Sequence, residues 1–168
     1  MDRAIDPSVV LFALLDEGCH ATSRVLETSL RSLGLSMMKV GILFCLKHMP
    51  EPKTPANLSR WLFREPNTIF TQLQEMERQG LVRKAKDLDR RNMVRVALTD
   101  KGEEVYRRAQ PSMKVIQGIM SCLSQEQQAS LAECLDMLRR RALSELAVTK
   151  DPLSMWPQSP YYGRDESK

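Results

Sequence analysis

The spacing of the apolar residues changes once along this chain, and that change limits the folds it can adopt. Leu81-Val82-Arg83 and the run 93–98 are short segments rich in β-branched residues, and the stretch 86–92 between them is charged and turn-forming. They predict a two-stranded β-hairpin with a projecting tip. Four helical patterns precede the hairpin and two follow it. The sequence therefore predicts a mainly α-helical chain with one small hairpin.

Residues that favour helix ends mark the limits of these helices. Side chains that commonly cap helix N-termini stand before most of the helical patterns, at Asp6, Ser36, Thr54, Thr99 and Ser124. Gly34 and Gly80 are expected to end the first and fourth helices. Pro111 lies inside the fifth pattern and predicts a kink or a break there.

Charge is distributed unevenly, and the distribution points to a polyanionic partner. The net charge is +4, but residues 1–34 carry 3 basic and 5 acidic side chains, residues 35–110 carry 15 and 9, and residues 111–168 carry 7 and 7. The middle segment thus has a net charge of +6, as expected if it faces nucleic acid. An ordinary basic surface is the alternative.

Several classes of protein are disfavoured by what the sequence lacks. No apolar stretch is long enough for a membrane span, and the N-terminus is not a signal peptide, so we expect a cytoplasmic protein without a membrane partner. The seven glycines and two histidines form no phosphate-binding loop, catalytic set or metal-ligand spacing. We therefore expect neither an enzyme nor a bound cofactor or metal.

The four cysteines are not paired by spacing. Cys45, Cys122 and Cys134 fall among apolar residues of predicted helices, where a reduced cysteine acts as a small hydrophobic residue. Cys19 is the candidate for redox sensing, because a neighbouring His20 imidazolium would lower its pKa.

The fourth helix has the pattern of a helix that reads DNA. Ile69, Leu73 and Met76 define an inner face. The polar side chains that point away from it, and that can hydrogen-bond base edges, are Asn67, Thr68, Thr71 and Gln72. A solvated helix face is the alternative. The hairpin tip carries Arg90 and Arg91 beside Asp89, which suits the narrow minor groove next to a major-groove site, although a solvated turn is also possible.

Three segments in succession resemble one family. Gly80-Leu81-Val82-Arg83-Lys84, then Asp89-Arg90-Arg91, then Leu98-Thr99-Asp100-Lys101-Gly102 are similar to the MarR (multiple antibiotic resistance regulator) family of winged-helix transcription regulators. The resemblance covers residues 35–110 by motif and most of the chain by helix order. It implies a homodimer on duplex DNA, with the fourth helix in the major groove and the wing, Asp89 to Arg91, in the minor groove.

The resemblance also implies a division of the chain. Residues 1–34 and 103–149 would form a helical dimerisation region, residues 35–102 the winged helix-turn-helix, and residues 150–168 an extended or disordered tail. Phosphate contacts are expected from four basic residues, Lys53, Arg60, Arg64 and Arg83. Two departures affect base reading: Thr71 stands where the family often has a basic residue, and Phe70 is bulkier than usual. The interval from Arg91 to Leu98 is one residue longer than usual, which permits a bulge.

A small-molecule effector is a further expectation from the resemblance. Other members respond to phenolic or other lipophilic ligands, and Met37, Met38 and Phe44 could line such a cleft because methionine adapts to varied apolar ligands. Their alternative role is core packing. We expect a sequence-specific regulator, a repressor on a roughly palindromic operator. The alternative is a winged-helix protein-interaction module without specific DNA binding.

Overall fold

The computed structural model describes residues 5–86 and 94–146, which contain six helices and one two-stranded hairpin. The elements are α1 (Pro7–Arg31), α2 (Met37–His48), α3 (Pro55–Leu62), α4 (Pro66–Arg78), β1 (Val82–Lys86), β2 (Val94–Leu98), α5 (Asp100–Met120) and α6 (Gln125–Glu145). This order confirms the predicted mainly α chain with a hairpin. The predicted wing tip and the tail 150–168 lie outside the described residues.

All five predicted capping side chains act as caps. Each accepts a hydrogen bond from a backbone N–H two or three residues later, at Asp6, Ser36, Thr54, Thr99 and Ser124. Such a cap contributes about 1 kcal/mol. Ser124 forms a full capping box with Gln127, as predicted. Helix α4 differs, because Glu65 provides no side-chain cap there.

The main core fixes the position of α4. It joins α2, α3, α4, the hairpin and the start of α5, and its members with 2% exposure or less include Ile42, Leu43, Leu58, Ile69, Leu73, Met76, Val82 and Val96. Full burial of one such side chain contributes roughly 1.5–3 kcal/mol. The inner face of α4 is therefore anchored along most of its length.

A second, smaller core joins α1, α2 and α5. Leu26 and Leu30 pack with Val40 and Ala109, and Met113 lies against them. This packing bears on Pro111, which was predicted to kink or break its helix. Helix α5 runs through Pro111 without a break. Tertiary contacts on both sides of the proline hold the helix together and outweigh the missing backbone hydrogen bond.

The hairpin is longer and more regular than predicted. Val82 pairs with Leu98, and the register continues without interruption to Lys86 opposite Val94. Lys86 therefore belongs to β1, whereas the sequence placed it in the tip. The five pairs also contain no bulge, so an extra residue in the wing is not accommodated within the described strands. The backbone N–H of Val96 donates to the carbonyl of Lys53 at 2.8 Å, which ties the loop before α3 to β2.

Two of the cysteines differ from the prediction. Cys122 follows α5 in a turn and is exposed. Cys134 lies on α6, within a helix as predicted, but it is exposed in the single chain. Cys45 is buried in the main core, as predicted. Within residues 5–86 and 94–146, no helix has both the length and the apolar character that a membrane span requires.

Candidate nucleic-acid interface

The outward face of α4 carries the polar residues that the sequence selected. Ile69, Leu73 and Met76 are completely buried. Asn67, Thr68 and Thr71 are exposed, and Gln72 is half-buried at the edge of the same face. The three exposed residues lie in the first half of the helix, which is the half that usually contacts base edges in a helix-turn-helix.

Among the exposed residues of α4 that the sequence did not list as base contacts, Gln74 and Phe70 lie beside the predicted ones. Gln74 follows Thr71 by three positions and lies on the outward face. Phe70 is 52% exposed although it is aromatic. A helical wheel would have placed Gln74 there. Phe70 was noted in the sequence only as a bulky departure that affects base reading, and its exposure agrees with that position.

The turn between α3 and α4 is held by local hydrogen bonds. The Ser59 hydroxyl donates to the carbonyl of Arg64 at 2.5 Å, and the Arg64 N–H donates to the carbonyl of Ser59 at 3.0 Å. Phe63 ends α3 in a left-handed conformation with φ of 49°. The side chains of Arg60 and Arg64 are exposed on either side of this turn.

The four predicted phosphate contacts do not have equal access to solvent. Arg60, Arg64 and Arg83 are exposed. The Lys53 side chain is 23% exposed and its ammonium lies 4.0 Å from the Glu51 carboxylate. Lys53 is therefore less available to a phosphate than the three arginines.

The first and last of the three family-like segments, 80–84 and 98–102, meet at the base of the hairpin. The Thr99 hydroxyl donates to the carbonyl of Gly80 at 2.6 Å, and its backbone N–H donates to the carbonyl of Leu81 at 3.1 Å. A Cβ atom at Gly102 would overlap the carbonyl oxygen of Leu81. Gly80 itself has φ of +70°, a conformation that favours glycine. The motif thus fixes the end of α4 against the start of α5.

A polar network joins the end of α4 to the start of α2. The Lys39 ammonium donates to the Gln79 side chain at 3.0 Å, and Gln79 donates to the Glu75 carboxylate at 2.5 Å. Arg78 makes two hydrogen bonds to Glu75, each 2.9 Å long, and mainly for this reason the pKa of Glu75 lies below its usual range. Glu75 is therefore paired within the protein.

A second ion pair joins α4 to the wing. The Lys84 ammonium lies 2.9 Å from the Glu77 carboxylate and 5.5 Å from the centre of the Phe70 ring. The hydrogen bond from Lys84 lowers the pKa of Glu77. The Lys84 side chain is only 19% exposed, and its ion pair with Glu77 links β1 to α4.

The three predicted ligand-cleft residues do not share one cluster. Met37 packs on the second core, whereas Met38 and Phe44 pack on the main core, and all three are half-buried. The Phe44 ring lies 4.5 Å from the His48 ring, and His48 Nε2 lies 2.8 Å from the Tyr106 hydroxyl. Met37, Met38 and Phe44 thus lie on α2, where this helix contacts both cores.

Cys19 is exposed on α1, but its neighbouring imidazole has another partner. His20 Nδ1 lies 3.0 Å from the backbone carbonyl of Asp16 and 3.4 Å from its carboxylate. The imidazole thus interacts with the preceding helical turn. Burial raises the pKa of the Cys45 thiol to about 12, so that cysteine is held as the neutral thiol.

Known proteins share this architecture. Residues 35–102 match the family of winged helix DNA-binding domains. The ligand-free organohalide-sensing RdhR-CbdbA1625 transcriptional regulator superposes with a TM-score of 0.74 at 28% identity, covering 89% of this chain and 88% of that one. AbsC, a MarR family regulator from Streptomyces coelicolor, gives a TM-score of 0.77 at 20% identity, with 84% and 99% covered.

A third structure is that of an E. coli MarR mutant in complex with operator DNA. It gives a TM-score of 0.69 at 18% identity and covers 77% of this chain and 94% of that one. No curated protein matches the sequence.

The fold and the matched segment together define the class. The chain is a DNA-binding transcription regulator with a central winged helix-turn-helix. Its fold is that of the MarR family, which confirms the resemblance found in the sequence.

Proposed function

We propose that this protein is a homodimeric repressor that binds a roughly two-fold symmetric operator in duplex DNA. The observation that carries the proposal is the outward face of α4. Asn67, Thr68 and Thr71 are exposed there, beside a turn that presents Arg60 and Arg64. Amide and hydroxyl side chains read base edges, whereas exposed guanidinium groups contact phosphates and set the register of the protein on the duplex.

The dimer is supported by apolar side chains that the single chain leaves exposed. Helix α1 exposes a run of large apolar residues near its start, among them Val10 at 45%, Leu11 at 67%, Phe12 at 69% and Leu14 at 60%. An apolar surface of this kind on one helix marks a protein interface. Because α1 lies in the segment predicted to dimerise, a second copy is the proposed occupant.

Helix α6 also exposes large apolar side chains, on a narrower face than α1 does. Its more protected side carries Ala132 and Asp136 and, near its end, the buried Leu143. Its leucine stripe is open, with Leu131 and Leu135 at 38% and 37% exposure and Leu138 at 58%. The leucines recur at helical spacing, so they form one continuous stripe. Pairing of this stripe with a second copy would bury it.

Dimer geometry then determines how the operator is read. Two copies of α4 would enter successive major grooves, roughly 34–36 Å apart on one side of the duplex. We propose that Arg90 and Arg91, oriented by Asp89, enter the adjoining minor grooves, and that Arg83 and, to a lesser extent, Lys53 contact phosphates. Binding of this kind over a promoter blocks RNA polymerase, so we propose that the protein represses transcription. The proposed location is the cytoplasm.

A small phenolic molecule is the proposed effector. RdhR-CbdbA1625, which is 29% identical to this chain over 83% of its length, has been crystallised with 2,4-dichlorophenol. We propose that Met37, Met38 and Phe44 contact such a ligand where α2 meets the two cores. The Lys39 network runs from this junction to the end of α4, so a shift of α2 would reach the DNA-reading helix. Titration with 2,4-dichlorophenol, with Phe44→Ala as the comparison, tests this part.

Selection from a library of random duplexes tests the DNA-binding proposal. The purified protein is expected to enrich one motif with two inverted half-sites centred about 10–10.5 base pairs apart. Enrichment of no motif, together with weak binding to every duplex, would contradict the proposal. It would favour the alternative, a winged-helix module that binds a protein partner.

A further inference from the structure

Phe70 is an exposed apolar residue in the half of α4 that would face the bases. It is the fifth residue of the helix and is 52% exposed, whereas the other large apolar residues of α4 are completely buried. Three exposed polar residues lie around it on the helix surface, at Asn67, Thr71 and Gln74. Phe70 is therefore a single aromatic ring within a polar, outward-facing surface.

The ring is held in place by the wing. The Lys84 ammonium lies 5.5 Å from the ring centre, within range of a cation–π interaction. Lys84 is in turn fixed by Glu77, which lies two helical turns after Phe70 on the same side of α4, at an N–O distance of 2.9 Å. The ring is thus positioned by β1 and by α4 itself, while about half of its surface stays open.

We propose that Phe70 reads a thymine in the operator by contacting its C5-methyl group. The inference rests on the proposed function, since it requires α4 to enter the major groove. That groove displays one apolar group, the thymine methyl, and phenylalanine is among the side chains that contact it. A phenyl ring placed against the polar edge of another base would remove water without offering a hydrogen bond, and this disfavours other bases.

The surroundings of Phe70 favour DNA over a protein partner. A docking surface for a protein needs a contiguous apolar patch. Phe70 is the only large apolar side chain exposed on α4, all of whose residues the structure describes. Its neighbours on the helix surface are polar, and the turn before α4 presents Arg64 as well as the separate exposed ring of Phe63. This composition is typical of a base-reading surface.

Replacement of thymine by deoxyuridine removes the methyl group and keeps the base pair. The protein is first used to select its duplex from a random library, and each thymine of the selected site is then replaced singly by deoxyuridine. We expect one position in each half-site at which the wild-type protein loses affinity roughly fourfold, the effect of one buried methyl group. Phe70→Ala should bind the selected duplex and the deoxyuridine duplex with about equal affinity, because it has no ring to touch the methyl group.

Phe63→Ala is the matched control, since Phe63 is also an exposed phenylalanine, 59% exposed, in the preceding turn. That variant should keep the deoxyuridine penalty. The inference is overturned, and the proposed function stands, if a motif is selected but no thymine replacement weakens wild-type binding, or if Phe70→Ala keeps the penalty. If no duplex is selected at all, the proposed function fails and this inference fails with it. The deoxyuridine titrations of the wild-type protein test the inference by themselves, so they remain decisive even if a variant fails to fold.

Discussion

Gly102 lies so close to the carbonyl oxygen of Leu81 that no larger residue fits at position 102 without a shift of the backbone. At this point the first turn of α5, which contains Gly102, contacts the turn that follows α4, which ends at Leu81. The same turn accepts hydrogen bonds from Thr99. The hairpin and α4 are thereby fixed to one another at their common base.

Gly102→Ala is predicted to destabilise the protein by about 3 kcal/mol, because the new methyl group meets backbone that cannot rotate away. Gly118→Ala is the matched control on the same helix, where nothing lies within 4 Å of the added Cβ. That control should raise stability by roughly 0.5–1 kcal/mol, since alanine favours the helix. Urea unfolding of both variants measures the difference. Equal stability of the two variants would show that the close approach to Leu81 is unimportant.

Arg90→Ala combined with Arg91→Ala is predicted to weaken binding to every duplex by about tenfold or more, because a hydrogen bond to a charged group contributes roughly 1.5–3 kcal/mol. The salt dependence of binding should also fall, by about one unit of slope for each arginine that no longer meets a phosphate. The double variant Arg107→Ala/Arg108→Ala removes the same charge from the exposed surface of α5. If both double variants bind alike in fluorescence anisotropy, the wing assignment is wrong.

Leu135→Glu combined with Leu138→Glu is predicted to dissociate the dimer. An unpaired charge buried at an interface costs several kcal/mol, so the dimer should weaken by at least about a hundredfold. Sedimentation velocity measures the monomer fraction, and circular dichroism confirms that the helices remain. Ser144→Glu adds a charge at an exposed position of α6 away from the leucine stripe and should leave the dimer intact. A dimeric leucine variant would place the interface elsewhere.

The cysteines are predicted to react with thiol reagents in a fixed order. Cys19 is exposed and should react in the folded protein, whereas Cys45 should react only after unfolding. The reactive form is the thiolate, and burial raises the pKa of Cys45 to about 12, so almost none forms near neutral pH. Cys19→Ser should remove one rapidly reacting thiol, and Cys45→Ser should remove none. Rapid modification of Cys45 in the folded state would contradict the buried position.

A redox role for Cys19 stays a prediction with its own readout. If Cys19 senses oxidation, peroxide should weaken DNA binding by the wild-type protein and not by Cys19→Ser. Equal weakening in both proteins would assign the effect to another residue.

The sequence predicted local structure well where one side chain decides it. The caps at Asp6, Ser36, Thr54, Thr99 and Ser124 are confirmed, because each depends on a hydrogen bond to a residue two or three positions away. A break at Pro111 does not occur and Lys86 lies in β1, and the sequence could not decide either point for the opposite reason. The path of α5 depends on packing against α1, and the length of β1 depends on its partner strand.

The site was predicted less completely than the fold. Periodicity gave the inner face of α4, and the outward residues Asn67, Thr68 and Thr71 followed from it. It could not show that Lys84 links Phe70 to Glu77. These contacts form only when strand β1 is brought beside α4. Such pairings between distant segments are not encoded in local spacing.

The salt dependence of DNA binding tests the central claim most directly. The wild-type protein is titrated against its selected duplex and against an unrelated duplex between 50 and 200 mM salt. A dimer that makes 6–10 phosphate contacts should lose affinity by roughly 10³–10⁵ over this range, and should prefer the selected duplex by about 10³ or more at physiological salt. Weak binding that is equal for both duplexes would contradict the account of a sequence-specific regulator.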